Sequence, residues 1–190
     1  MTPGDEQWMR EAMALARLAE SEGEVPVGAV VVQDGEVVGR GWNRTIGLND
    51  PSAHAEIMAM REAGRALGNY RLPGCELYVT LEPCCMCAGA IVHARVARVV
   101  FAAPDPKTGA AGGAFDLLPH PQHNHQLIVE GGLLEDESAA LLRGFFRARR
   151  GGGAALAVED DSAGSADPGV EPEAQQVEAG DAQDAENRQP

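Results

Sequence analysis

Two short stretches constrain this chain more than anything else in it: His54-Ala55-Glu56 and Pro83-Cys84-Cys85-Met86-Cys87. His54, Cys84 and Cys87 offer one imidazole and two thiols, the number of ligands a catalytic zinc takes when its fourth position holds water. Any fold that uses all three must bring segments far apart in the sequence to one point. Glu56 stands two residues past the histidine. It is near enough to share that point and to move protons to and from a water molecule there. Cys84 and Cys87 are three apart, so they point the same way from one helical turn. Pro83 suits the start of such a helix, and a helix N-terminus favours thiolates. A redox C-x-x-C pair and half of a structural zinc finger are the competing readings. No second C-x-x-C and no histidine pair at finger spacing accompanies the motif.

Charge at first sight argues against a polyanionic partner, because the 190 residues carry a formal net charge of −14. The charge is unevenly spread. From Gly151 onward there are ten acids against one base, Arg188. Residues 1–150 hold fourteen bases against nineteen acids, a net of only −5. Basic patches can therefore exist on them. The expected organisation is one zinc-dependent domain over 1–150, followed by an acidic Gly/Ala-rich tail over 151–190. Without aromatic residues that tail cannot bury enough apolar surface to order itself. The four cysteines, Cys75, Cys84, Cys85 and Cys87, are crowded in a way that suits metal better than disulfides. Met1–Glu11 is polar, and no apolar run approaches the ~20 residues needed to span a bilayer. The expectation is a cytoplasmic protein with no membrane partner.

Periodicity places the motifs on elements. Residues 7–22 read as an amphipathic helix with Trp8, Ala12, Leu15 and Ala19 on one side. Residues 25–32 and 37–42 read as a hairpin around Asp34-Gly35. A loop from Asn43 to Ser52 follows, and Asn43 can offer a base edge both a donor and an acceptor. A helix from about 53 to 64 carries His54 and Glu56 in its first turn, where the positive end of the dipole favours an ionised Glu56. Strand 77–81, the helix bearing the cysteines and strand 97–101 imply two parallel strands. Cys85 and Met86, between the candidate ligands, are expected to pack, and Cys75 to be buried. The loop 104–113 is rich in Gly and Pro and should lie near the mouth of the site. In it, Lys107 suits a phosphate and Asp105 a ribose hydroxyl, and a solvated loop is the alternative. His120, His123 and His125 lack nearby acids or cysteines and are not read as a second metal site. A short strand at 127–129 precedes a helix over 135–150. On that helix Leu141, Leu142, Phe145 and Phe146 are expected to face inward. Arg143, Arg147, Arg149 and Arg150 form a stripe that reads either as a solvated face or as a surface for an RNA backbone.

The pattern H-x-E…P-C-x-x-C is that of the zinc base deaminases. Over about residues 5–150 the chain resembles the bacterial tRNA-specific adenosine deaminases of the cytidine/deoxycytidylate deaminase superfamily. The likeness runs through Glu24–Ala29, Gly41–Arg44, Asp50–Ala59, Asn69–Leu72, Leu77–Ala90, Lys107–Gly112 and Ala139–Arg150. It implies a three-layer α/β/α cytidine-deaminase-like fold with a mixed five-stranded sheet, and a homodimer with one Zn²⁺ per subunit. It implies hydrolysis of the wobble adenosine of a tRNA anticodon stem-loop to inosine, with loss of ammonia. By position, His54, Cys84 and Cys87 would hold the zinc and Glu56 would be the catalytic proton carrier. Asn43 would meet the flipped adenine, and Asp105, Lys107, Arg149 and Arg150 would lie near the anticodon loop. A zinc deaminase of free guanine or deoxycytidylate shares the motif. A non-catalytic RNA-binding subunit would be expected to lack the glutamate.

Overall fold

The computed structural model describes residues 1–152, Pro3 excepted. The acidic tail expected from residue 151 therefore lies, past Gly152, outside the described residues. In chain order the elements are α1 (Asp5–Ser21), β1 (Gly28–Gln33), β2 (Glu36–Trp42), α2 (Thr45–Leu48), α3 (Ala55–Leu67), β3 (Glu76–Leu81), α4 (Cys85–Ala94), β4 (Arg98–Ala103), β5 (Ile128–Gly131) and α5 (Glu135–Gly152). The single turn α2 has no counterpart in the sequence pattern, which reads as loop after Asn43.

Asp34 and Gly35 close the β1–β2 hairpin with φ of 52° and 80°. Two consecutive positive φ values match the right-handed twist of the flanking strands, and Asp-Gly tolerates them. The sheet order is β2-β1-β3-β4-β5. β1 runs antiparallel to β2 and β3, while β4 is parallel to β3 and β5. The parallel pair is closed by α4, as a strand–helix–strand crossover requires. The result is the expected mixed five-stranded sheet between helical layers.

Strand alternation sends successive side chains to opposite faces. Ala29, Val31, Leu77, Val79, Val99 and Phe101 face α3 and α4 and pack with Ala55, Ala59, Ala63, Ala88 and Ile91. Val30, Val32, Tyr78, Val100 and Ala102 face α1 and pack with Met9 and Ala12. With few aromatics available, this core is filled by short side chains, and the helices sit close to the sheet. A Cβ on Gly41 would lie 2.2 Å from the Ala55 carbonyl oxygen, and one on Gly39 2.3 Å from that of Ala59. The backbone of α3 thus rests directly on two glycines of β2. That contact fixes the start of α3, where His54 and Glu56 sit.

At the opposite end of β3 and β4 lies a charged cluster. Arg98 donates to both carboxylate oxygens of Asp5, at 2.6 and 2.9 Å, to Glu76 at 2.7 Å and to Glu130 at 2.7 Å. Asp5 is almost fully buried. The cluster ties the start of α1 to β3, β4 and β5. A buried pair of this kind is costly to break from one side, because the remaining charge is left unpaired.

Two predictions arise from this packing. Arg98→Met should cost about 3–5 kcal/mol of unfolding free energy at neutral pH, read by urea denaturation. Arg98 holds the Asp5 carboxyl far below its ordinary value of 3.8. The stability Asp5 lends is therefore fully present above that value and lost as pH falls through the lowered one. The gap between wild type and variant should accordingly narrow below about pH 4. Gly41→Ala should lower the melting temperature, read by thermal unfolding, because the added Cβ would meet the Ala55 carbonyl and shift the start of α3.

Candidate metal centre and active-site cavity

His54 is the N-cap of α3 and Cys84 the N-cap of α4, both with extended backbone (ψ 155° and 173°). N-cap side chains usually turn back to bond the first N–H groups of their own helix. Neither of these does. Both turn toward each other instead. Asn43 takes over the missing cap on α3, its Oδ1 accepting the Ala55 N–H at 2.9 Å. Asn43 is buried and lines the site, and its Nδ2 has no protein acceptor among the described residues. The donor-and-acceptor capacity expected of it is thus divided between a structural bond and the cavity.

The His54 Nδ1 lies 3.7 Å from the Cys84 Sγ and 3.6 Å from the Cys87 Sγ. The three ligand atoms all fall within 4.8 Å of one another. A tetrahedral zinc with bonds of ~2.3 Å to sulfur and ~2.0 Å to nitrogen places its ligand atoms roughly 3.5–3.8 Å apart. The donor set and its spacing fit that ion. A hydrogen bond from Cys87, seconded by His54, lowers the Cys84 pKa to about 3. The same bond to Cys84 and burial push Cys87 upward. The partnership with Cys84 raises His54. Both helix dipoles point their positive ends here, which adds to the preference for negative charge.

Glu56 is almost completely buried in the first turn of α3. Burial is the main influence on its carboxyl and raises its pKa. It shares a cavity of about 680 Å³ with His54, Cys84 and Asn43. Val25, Val27 and Leu81 contribute apolar wall, the 104–108 segment forms one rim, and Leu142, Arg143, Phe146 and Arg150 of α5 form another. This opening lies where β3 and β4 end, the end of parallel strands at which ligands commonly bind.

The sequence-derived site residues divide into groups. His54, Glu56, Cys84 and Cys87 converge as expected, and Asn43, Asp105, Lys107 and Arg150 line the same cavity. Arg149 does not line it. Its guanidinium donates to the Gly23 carbonyl at 2.7 Å and lies over the Phe145 ring. The Asp105 carboxylate is occupied by its own turn, accepting from the Lys107 N–H at 2.9 Å and from the Thr108 hydroxyl at 2.5 Å. Three expectations about packing need correction. Cys85 is exposed and Met86 is 39% exposed, because only the ligand positions of this turn face inward. Phe146, expected in the core, is 43% exposed and stands on the cavity rim, while Phe145 alone of the pair is buried. His123 and His125 bond the carbonyls of Leu117 and Val96, and among the described residues no second group of metal-ligating side chains forms.

Two further residues of the site carry no mark in the sequence. Glu24 is buried and accepts from the Thr45 hydroxyl and the N–H groups of Ile46 and Gly47, holding α2 beside the cavity. Glu82 is buried and holds the 104–113 loop. An acid just before a proline has no distinctive signal. The only hint lies in the glycines of the loop that presses against Glu82.

A family model described as the cytidine and deoxycytidylate deaminase zinc-binding region matches residues 2–103. The tRNA-specific adenosine deaminase of Haemophilus influenzae is 52% identical over 134 residues, 70% of this chain and 78% of that protein. A solved structure from a study of A-to-I editing by tRNA:A34 deaminases at the wobble position is 50% identical, with a TM-score of 0.69, and covers 72% of this chain and 99% of that one. The guanine deaminase of Nitrosomonas europaea is 30% identical, with a TM-score of 0.63, over 76% of this chain and 84% of that one. With its paired zinc-binding motifs folded into one pocket, the chain belongs to the tRNA-specific adenosine deaminase family, within the cytidine and deoxycytidylate deaminase superfamily.

Proposed function

We propose that this chain hydrolyses adenosine to inosine at the wobble position of a tRNA anticodon, releasing ammonia. In this reading residues 1–150 are the deaminase domain. His54, Cys84 and Cys87 hold one Zn²⁺ per subunit, and Glu56 is the catalytic carboxylate. The observation that carries it is the placement of a buried Glu56 in one cavity with His54 and Cys84, whose ligand atoms cluster with that of Cys87. When bound, the ion lowers the pKa of a water molecule from about 15.7 toward ~7 and so supplies a nucleophile at neutral pH.

The rest of the chemistry falls to the chain's own side chains. Adenine C6 is a poor electrophile until N1 is protonated. Glu56 takes the proton of the attacking water and passes it to N1, while the C6–O bond forms. It then takes the remaining proton from the new C6 hydroxyl and delivers it to the exocyclic nitrogen as the C6–N bond breaks, so water and adenosine leave as inosine and ammonia with no net proton change. Burial favours this carrier, since a carboxyl away from solvent hands its proton on rather than losing it to bulk water. In this reading the Asn43 Nδ2, facing the cavity, donates to the base. A base reaches such a pocket only when unstacked and flipped out, as an anticodon loop permits.

Lys107, Arg143 and Arg150 on the rim suit the phosphates on either side of the flipped nucleotide. Arg149 serves the same helix by bracing it to Gly23, and Asp105 shapes the loop that carries Lys107. No described helix is long and apolar enough to cross a membrane, and we read the protein as a cytoplasmic homodimer. An apolar groove of about 570 Å³ between α3 and α4, flanked by the exposed Tyr70, is available to a second copy.

A second reading, deamination of free guanine, draws on the likeness to the Nitrosomonas europaea enzyme. The cationic rim favours RNA, and the identity to the tRNA deaminases is higher. Ammonia release from an anticodon stem-loop bearing A34, with free guanine and free adenosine in parallel, separates the two. Turnover only on the RNA is expected, with an A-to-I change on sequencing. Glu56→Ala should keep its zinc, by metal analysis, and lose at least about 10³-fold in kcat. Cys87→Ala should lose the ion itself.

A further inference from the structure

The 104–113 loop carries Asp105 and Lys107 to the cavity rim, yet it contains no regular secondary structure. One buried side chain reaches both of its ends. The Glu82 Oε2 accepts the Asp105 N–H at 2.8 Å, and its Oε1 accepts the N–H groups of Ala111 at 2.8 Å and Gly113 at 2.9 Å. The carboxylate is 3% exposed and has no cationic partner among the described residues. Its two oxygens are instead met by a nest of backbone N–H groups drawn from both ends of the loop. A buried carboxylate is tolerable only because those bonds satisfy it, and bonds to a charged acceptor are stronger than neutral ones. Close approach is possible because the loop backbone is glycine where it touches. A Cβ on Gly109 would lie 2.4 Å from the Glu82 carboxylate, and one on Gly113 2.5 Å from it.

The same segment is stitched to the metal-binding turn. Ala110 donates its N–H to the Pro83 carbonyl at 2.8 Å, and Cys84 and Gly109 form an isolated β-bridge. Glu82, Pro83 and Cys84 are consecutive, so the residue that grips the loop and the residue that offers a ligand share one short stretch of chain.

From this arrangement we infer that Glu82 is a positioning residue for RNA. It sets where Lys107 and its neighbours stand relative to the metal centre, and thereby how tightly substrate is held, without touching the reacting base. The inference rests on the RNA reading given above. A glutamine is nearly isosteric but has one acceptor oxygen. If that oxygen keeps Ala111 and Gly113, the amide NH₂ faces the Asp105 N–H, and the Lys107 end of the loop is released.

The test is steady-state kinetics of the zinc-loaded full chain on an anticodon stem-loop bearing A34. Glu82→Gln should raise KM by about tenfold, the worth of one charged hydrogen bond. It should change kcat less than about twofold and leave zinc content at the wild-type level. Gly113→Ala, which crowds the same carboxylate from the loop side, should give the same split if Glu82→Gln folds poorly. Lys107→Ala should raise KM in the wild type and add little in the Glu82→Gln background, since the two act through one element. A fall in kcat as large as the rise in KM, additive effects with Lys107→Ala, or unchanged KM in both single variants would overturn the role. A wild-type chain that leaves the stem-loop unchanged would overturn the RNA reading, and this role with it.

Discussion

Everything at the site depends on two helices that begin at the same point. α3 and α4 each enter through an extended residue whose side chain is not spent on capping, and those two side chains are His54 and Cys84. The arrangement concentrates the positive ends of two helix dipoles around ligands that bind best as anions or neutral donors. It also forces the orphan N–H groups to find partners elsewhere, and Asn43 supplies one for α3. The direct contact of α3 with Gly39 and Gly41 keeps the two starts within reach of each other. A side chain at either glycine would lift α3 from the sheet and open the gap between imidazole and thiols.

Much of this geometry is legible in the amino-acid sequence. Ligand spacing on Cys84 and Cys87 depends on one helical turn, and the Asp34-Gly35 hairpin on two backbone angles, so both are local and readable. β1, β3 and β4 are readable as strands, but because both faces of the sheet are covered they are apolar almost throughout, and their sequence does not say which residues meet α1. The features that sequence misplaces share a different cause. Phe146 and Phe145 are adjacent on one helix, and which of them is buried depends on where α5 meets the sheet, a tertiary fact. Cys85 and Met86 are apolar enough to pack, but the turn is committed inward at its ligand positions and leaves them to solvent. Arg149 has the spacing of a cationic stripe, and its actual partner, the Gly23 carbonyl, lies 126 residues away in sequence.

The least legible feature is the role of buried acids. Glu24 and Glu82 have no special spacing and no adjacent base, yet Glu24 holds the short turn α2 beside the cavity and Glu82 the irregular 104–113 loop, both largely through backbone N–H groups. Periodicity cannot reveal this, because the partners are main-chain atoms common to every residue. The gain is in ordering. A loop without helix or strand normally loses conformational entropy with little return, and a single charged acceptor that reaches both of its ends recovers part of that cost.

The parallel strands β3 and β4 have a polarity of use. Their carboxyl ends open onto the candidate metal centre at His54 and Cys84, and their amino ends finish in the Arg98 cluster, where α1, β3, β4 and β5 are pinned together. Chemistry and anchorage thus occupy opposite poles of the same pair of strands, separated by their length. A change at the Arg98 pole therefore bears on how firmly the strands are held together and not on the spacing of His54 and Cys84 at the other.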